Sequence, residues 1–315
     1  MRLTARAVAA TIGLLALALV PMIATALDAP FYTGLFARVM IFAIAAVSLD
    51  LILGYAGLVS FGHAAYFGIG AYAVGILSFH GIGNGFAHFA AALLAAAAAA
   101  LVIGFVSLRT SGVYFIMITL AFGQMVYFLG VSVNRYGGDD GLNISRHSDF
   151  AGLIDLGNQT VLYYFVFAFL LAVLLLGSRV VQSRFGVLLQ GIKSNEPRMV
   201  AIGFPTFRYK LAAFVIAGAV CGLAGALFAN LTLFVSPSIM HWTRSGEIMM
   251  MVILGGLGTL FGPVFGAAAY LILESVLSRL TEHWQAALGP ILILVVLFSK
   301  SGLLGLIAPR ERRDG

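Results

Sequence analysis

A run of about twenty apolar residues can be stable inside a large protein or across a bilayer, and in few other places. This chain offers ten such runs in succession, at residues 6–26, 35–53, 57–79, 86–108, 113–133, 161–181, 211–235, 247–261, 264–280 and 289–308. The eighth and ninth are short and meet at Gly262-Pro263, which fits a tight helical hairpin or a broken, re-entrant pair. The chain is 61% hydrophobic and 10% charged, with a mean hydropathy of +1.04, where a soluble domain is about half apolar and a quarter charged. The expectation is an all-α, polytopic inner-membrane helical bundle of about 10 transmembrane helices, a single domain over residues 1–315. The net charge of +6 then belongs to cytoplasmic loops and lipid headgroups, not to nucleic acid. Cys221 is the only cysteine, so no internal disulfide or thiolate cluster is possible.

Arg2 and Arg6 precede the first run, and Ala24-Thr25-Ala26 resembles a signal cleavage site. The run is longer than a signal core, which favours an uncleaved first span. Alternating ten spans from a cytoplasmic N-terminus leaves the C-terminus cytoplasmic. Thirteen of the eighteen basic residues then lie inside, among them Arg109, Arg179, Lys300, Arg310, Arg312 and Arg313. Arg38, Arg135, Arg146, Arg244 and Arg279 lie outside or near the outer face. This asymmetry obeys the positive-inside rule. The largest outward segment is 134–160, with Asp139, Asp140, Asp149 and Asp155; it is expected to be periplasmic and open to an external partner.

The longest basic segment is 182–210, with Arg184, Lys193, Arg198, Arg208 and Lys210 against Glu196 alone. Ser183 is placed to cap one short helix and Asn195 a second, with Pro197 in its first turn and Gly203 closing it. From these residues alone, 182–210 is either a docking element or a solvated linker made basic by topology.

Within the spans, three acids stand out: Asp50, Glu247 and Glu274. An acid at the bilayer centre costs roughly 2.5–3.5 kcal/mol, so each is read as a packing or capping group or as an ion-coupling site. No clustered pair of intramembrane charges is expected. Asp50 opens DLILGYAGLVSFGHAAYFGIGAY, in which Gly54, Gly57, Gly62, Gly68 and Gly70 alternate with Ser60 and His63. An even helix has no use for so many glycines, whereas a broken helix lining a substrate path does. His63 is read as a packing residue, with proton carrier or metal ligand as the alternatives. Enlarging Gly62 or Gly70 is expected to impair transport more than assembly. Residues 90–100 are nearly all alanine, which fits close packing or mere tolerance, and Gly218 and Gly222 have the spacing of a helix-packing motif. The chain carries no Walker A sequence, no HExxH and no GxSxG, and its histidines have no metal-ligand spacing. Neither a catalytic residue nor a metal site is expected, and the chain is not read as an enzyme.

Residues 50–72 resemble the signature of the branched-chain amino acid ABC permeases of the LivM type. The matching residues are Leu49, Asp50, Leu51, Gly54, Tyr55, Gly57, then Ser60, Gly62, His63, Ala64, and Gly68, Gly70, Ala71, Tyr72. The central segment is similar to the family's ATPase-docking loop at Ser183, Phe185, Gly186, Ile192, Asn195, Glu196, Arg198, Ala201, Gly203 and Lys210. Ala213-Phe214, 222–225, Ser236-Pro237 and 255–259 continue the likeness, which covers most of the chain. Val187, Lys193-Ser194 and Met199 depart from the family's usual residues. The resemblance implies a coupling loop made of Ser183, Arg184, Phe185, Gly186, Asn195, Glu196, Arg198, Ala201 and Gly203. It implies no cofactor in this chain, with ATP bound by two cytoplasmic ABC ATPases. It also implies a second homologous permease and a periplasmic substrate-binding protein that largely selects the solute. Branched-chain amino acids head the candidate solutes, with urea, amides and aromatic acids as others. An ion-coupled secondary transporter is the competing expectation.

Overall fold

The computed structural model describes residues 5–281 apart from 27 and 153, and then 283, 284, 286–290, 293, 302 and 303. The tenth apolar run and the basic C-terminal residues lie almost wholly outside these. The helices are α1 (Ala5–Ala26), α2 (Pro30–Asp50), α3 (His63–Phe79), α4 (Gly85–Ser107), α5 (Val113–Ser132), α6 (Gln159–Gln182), α7 (Arg184–Ser194), α8 (Glu196–Ala201), α9 (Thr206–Thr232), α10 (Trp242–Gly255) and α11 (Gly262–Leu280). Among the described residues six helices are long and apolar enough to cross a membrane, counting α2 with its extension as one; α1 from Ala10 and α3 are shorter apolar helices. We call the end that carries 134–160 the outer end and the end that carries α7 and α8 the inner end.

A helix that is apolar all round belongs in the middle of others, and α2 is that helix. Every residue from Val39 to Asp50 is buried. It contacts α1, α6, α9, α10 and α11. Past Asp50 it widens into a π-helical turn, Leu51–Tyr55. The chain then stays non-helical until α3 begins at His63, so the third apolar run is not a helix over its first six residues.

Next to α2, α3 and α4 pack closely on α9. A Cβ at Gly70 would overlap the carbonyl of Gly222, and one at Gly222 would overlap Ala96. Ala92, Ala96 and Ala100 are fully buried at helical spacing, so the alanine run is a packing face cut to fit α9.

At the outer end, Leu142–Asn143 (β1) pairs antiparallel with Phe234–Val235 (β2). Asp149 exchanges backbone hydrogen bonds with Gly83 and Gly85. Asn230 Oδ1 accepts from the Ser148 N–H at 2.9 Å, and the Ser148 hydroxyl meets His88 Nδ1 at 2.7 Å. The outer loop is thus tied to the start of α4 and the end of α9.

α10 and α11 form a tight hairpin, with a Cβ at Gly255 or Gly266 overlapping the backbone opposite. α10 does not begin at the outer surface. Its Ser245 Oγ accepts from Ala64 N–H, at the inner end of α3, and Met240 packs on Gly68. The stretch from Leu233 to His241 therefore descends from the outer end of α9 into the bundle, helical only at the 3-10 turn Pro237–Met240. Of the alternatives left open by the sequence for the pair joined at Gly262-Pro263, α10 and α11 take the tight hairpin, and the non-helical descent lies before α10 instead.

Candidate functional site

The inner segment folds into α7 and α8. Asn195 caps α8, its Oδ1 accepting from Arg198 N–H at 3.0 Å. Gly203, at φ +92°, ends it: its N–H donates to Val200 O at 2.9 Å and that of Phe204 to Met199 O at 3.1 Å, the paired bonds of a Schellman turn. Ser183 precedes α7 as expected but makes no cap bond; its hydroxyl turns back to Val180 O at 2.7 Å. Glu196 pairs with Lys210 at 2.6 Å, and Phe185 lies against Tyr209, so the segment is fastened to the start of α9. Gly186 is buried, and a Cβ there would overlap the Val181 backbone. Arg184, Arg198 and Ala201 point outward, as do Val187 (63% exposed), Val200 and Ile202 (62%).

One more tie runs from this segment into the core. Lys193 Nζ donates to the Gly54 carbonyl at 2.6 Å. Gly54 lies in the last turn of the α2 extension, where carbonyls have no partner further along the helix, and a lysine there satisfies one of them. One turn earlier, Asp50 Oδ1 accepts from the Gly258 N–H at 2.9 Å. Gly54 leaves room for that bond, since a Cβ would overlap both Asp50 Oδ1 and Gly258 N. α7, the end of α2 and the α10–α11 turn thus meet at Asp50 and Gly54. The other Asp50 oxygen is buried without a partner, and the residue lines an apolar cavity of about 250 Å³ between α2, α6 and α9.

Most of the remaining residues of 50–72 are packed, though Gly57 is exposed. His63 is 0% exposed. Ser48 donates its hydroxyl proton to Ala45 O, so the 2.8 Å contact between Ser48 Oγ and His63 Nε2 assigns that nitrogen as the donor. His63 Nδ1 and Ser60 Oγ are buried without partners. Gly57 rests on the Lys193 stem, and Gly62 on the Thr119 carbonyl. Gly68 and Gly70 face Met240 and Gly222, so a larger residue at Gly70 strikes backbone in a helix contact. No group of three or more His, Cys, Asp or Glu placed to hold a metal occurs among the described residues.

The structure also corrects the expectation that intramembrane charges are unclustered. Arg38 meets Glu274 at 3.4 Å and Arg244 meets Glu247 at 2.6 Å, and the two arginines line one narrow space. Arg38 and Arg244, counted by sequence near the outer face, are each paired with an acid and about a third exposed (35%). An arginine within an apolar run was the available signal, since such a group needs an acid opposite it.

These features define an all-α chain with six helices, among the described residues, long and apolar enough to cross a membrane, and with a structured inner loop. A family model described as "Branched-chain amino acid transport system / permease component" matches residues 31–298. The chain is 30% identical over 295 residues to the high-affinity branched-chain amino acid transport system permease protein LivM of Escherichia coli, covering 86% of this chain and 69% of that one. It is 25% identical over 305 residues to the probable branched-chain amino acid transport permease protein LivM of Methanocaldococcus jannaschii, covering 84% and 87%. It is also 25% identical over 284 residues to the permease protein LivH of the Escherichia coli system, covering 84% and 91%. No solved structure matches it. The chain belongs to the family of branched-chain amino acid transport system permease components. It is a multi-pass inner-membrane protein.

Proposed function

We propose that the chain is the transmembrane permease subunit of an ATP-driven ABC importer for branched-chain or related amino acids, delivered by a periplasmic binding protein. Residues 1–315 form one permease domain, with 182–210 as the cytoplasmic coupling loop and 134–160 as the periplasmic loop. The chain binds no cofactor itself; two cytoplasmic ABC ATPases bind ATP, and a second homologous permease completes the membrane body. Relatives named as two distinct permease proteins, LivM and LivH, support that pairing.

The observation that carries this reading is the build of α7 and α8. A solvated linker has no reason to be capped at Asn195, closed at Gly203, clamped by Glu196–Lys210 and tied to the core by Lys193. Nor has it reason to show Val187, Val200 and Ile202 to water. Such a stiff, partly apolar surface suits a partner that pushes. Motion received there has a covalent and hydrogen-bonded route through Lys193 and Gly54 to Asp50 and the hairpin turn at Gly258. A nucleotide-driven partner inside and a loaded binding protein outside would each bias the same two-state body.

The test is to place a charge on the exposed surface, with Val187→Glu and Ile202→Glu. Both positions leave the fold untouched, unlike Gly186, where any side chain strikes α6. The complex should still assemble in the membrane but lose ATPase association, or lose ligand-stimulated hydrolysis together with uptake. Wild-type coupling in both variants would overturn the docking assignment. The ion-coupled reading draws on the two ion pairs Arg38–Glu274 and Arg244–Glu247; it predicts uptake driven by an ion gradient in vesicles that contain no ATP.

A further inference from the structure

A cavity of about 840 Å³ opens at the outer end between the starts of α2 and α6 and the ends of α9 and α11. Apolar side chains line it, including Leu162, Leu231 and Leu271, together with charged groups: Arg38 on α2 faces Glu274 on α11, and Arg279 stands further along α11. Arg38 and Glu274 are at similar depth, eight residues into α2 and six before the end of α11, roughly 9–12 Å from the helix ends. Their contact is a single long one of 3.4 Å, leaving donors on Arg38 and an oxygen on Glu274 available. His147 lines the same space, with Nδ1 buried and unpartnered.

We propose that this cavity receives a zwitterionic α-amino acid with an aliphatic side chain on its way through the permease. Arg38 takes the carboxylate, Glu274 takes the ammonium, and the leucines cover the side chain. The proposal rests on the reading of the chain as an amino-acid permease. A guanidinium and a carboxylate side by side match both ends of one zwitterion, and a ligand lying between them exchanges a weak ion pair for two charge-assisted ones. The leucines are the selective element, since each buried methylene favours the branched side chain over a smaller one. Arg38 also lines the narrow space beneath, with Phe42, Phe67, Phe228, Ile239 and Arg244. Phe42, Phe67 and Phe228 pack against one another, with ring centroids 5.4–6.0 Å apart. The cavity floor therefore leads through an aromatic seal toward the re-entrant stretch and the second ion pair.

The same zwitterion chemistry occurs in a phosphatidylethanolamine headgroup, and the experiment separates the two sources. The whole complex, without its binding protein, is placed in nanodiscs of phosphatidylglycerol alone. Saturation-transfer NMR is recorded with L-leucine, with 4-methylpentanoate lacking the ammonium, and with 3-methylbutylamine lacking the carboxylate. Leucine should bind at least tenfold more tightly than either analogue, and Arg38→Gln with Glu274→Gln together should abolish that preference. Removing both charges leaves neither one buried alone, and co-purification with the second permease reports folding. Equal binding of all three ligands, or leucine binding unchanged in the double variant, would overturn the proposal. So would loss of leucine binding on adding phosphatidylethanolamine, which would assign the cavity to lipid. ATP-driven uptake is measured on the same preparations. Uptake that persists without this binding would reject the site and spare the importer reading; binding without uptake would do the reverse.

Discussion

Asp50 shows how one residue earns its place in a span. Its cost of insertion is offset by the Gly258 N–H, which sits in a turn with no helical partner for it. Asp50→Asn keeps an acceptor oxygen and should be nearly neutral in stability. Asp50→Leu leaves the Gly258 N–H buried and unpaired, at about 1–3 kcal/mol, readable as a lower melting temperature of the purified complex. Lys193 is a positioning residue on the same path. Lys193→Arg should keep ATP hydrolysis coupled to uptake, whereas Lys193→Met should raise ATP consumed per solute moved without lowering expression. Equal coupling ratios in Met, Arg and wild-type proteins would remove Lys193 from the path. The sequence marked Asp50 as unusual but not its partner, because Gly258 is 208 residues away and contributes a backbone N–H, which carries no side-chain signal. Arg38 and Glu274, 236 residues apart, were hidden for the same reason: their pairing is a property of the packing.

Elements were legible where hydropathy and helix coincide. The runs at 86–108 and 113–133 became α4 and α5 to within a residue, since polar or glycine-containing loops bound each of them. The break at 56–62 was invisible to hydropathy because Leu58, Val59 and Phe61 continue the apolar character through it; the glycines were the only mark. The descent into α10 was equally masked, with Pro237 as its one flag. Close glycine contacts were visible as composition but not as geometry. Gly70→Leu should therefore lower stability by about 1–3 kcal/mol or more through overpacking on Gly222, seen as lost yield of assembled complex and not as a selective transport defect. Normal yield with lost uptake would instead make Gly70 part of the path. In the 182–210 segment, the Asn195 cap and Gly203 stop were readable because capping chemistry is local. The tie at Lys193 was not, because it reaches across to another helix.

For the molecule as a whole, topology is the frame on which function hangs. Ser145 and Ser194 are exposed at opposite ends, whereas Ser148 is buried and Cys221 is fully enclosed. Cysteines introduced as Ser145→Cys and Ser194→Cys should therefore label with an impermeant maleimide from the periplasm and the cytoplasm respectively, with no background from Cys221. Labelling of both from one side would invert or discard the arrangement. The most direct measurement is solute movement by the reconstituted assembly. Proteoliposomes containing this permease, its sister permease and both ATPases are supplied with a leucine-loaded binding protein outside and ATP within. Radiolabelled leucine should accumulate only with ATP, stop with vanadate, and be indifferent to proton and sodium gradients. Accumulation driven by an ion gradient in the absence of ATP and of the binding protein would contradict the ABC-importer assignment.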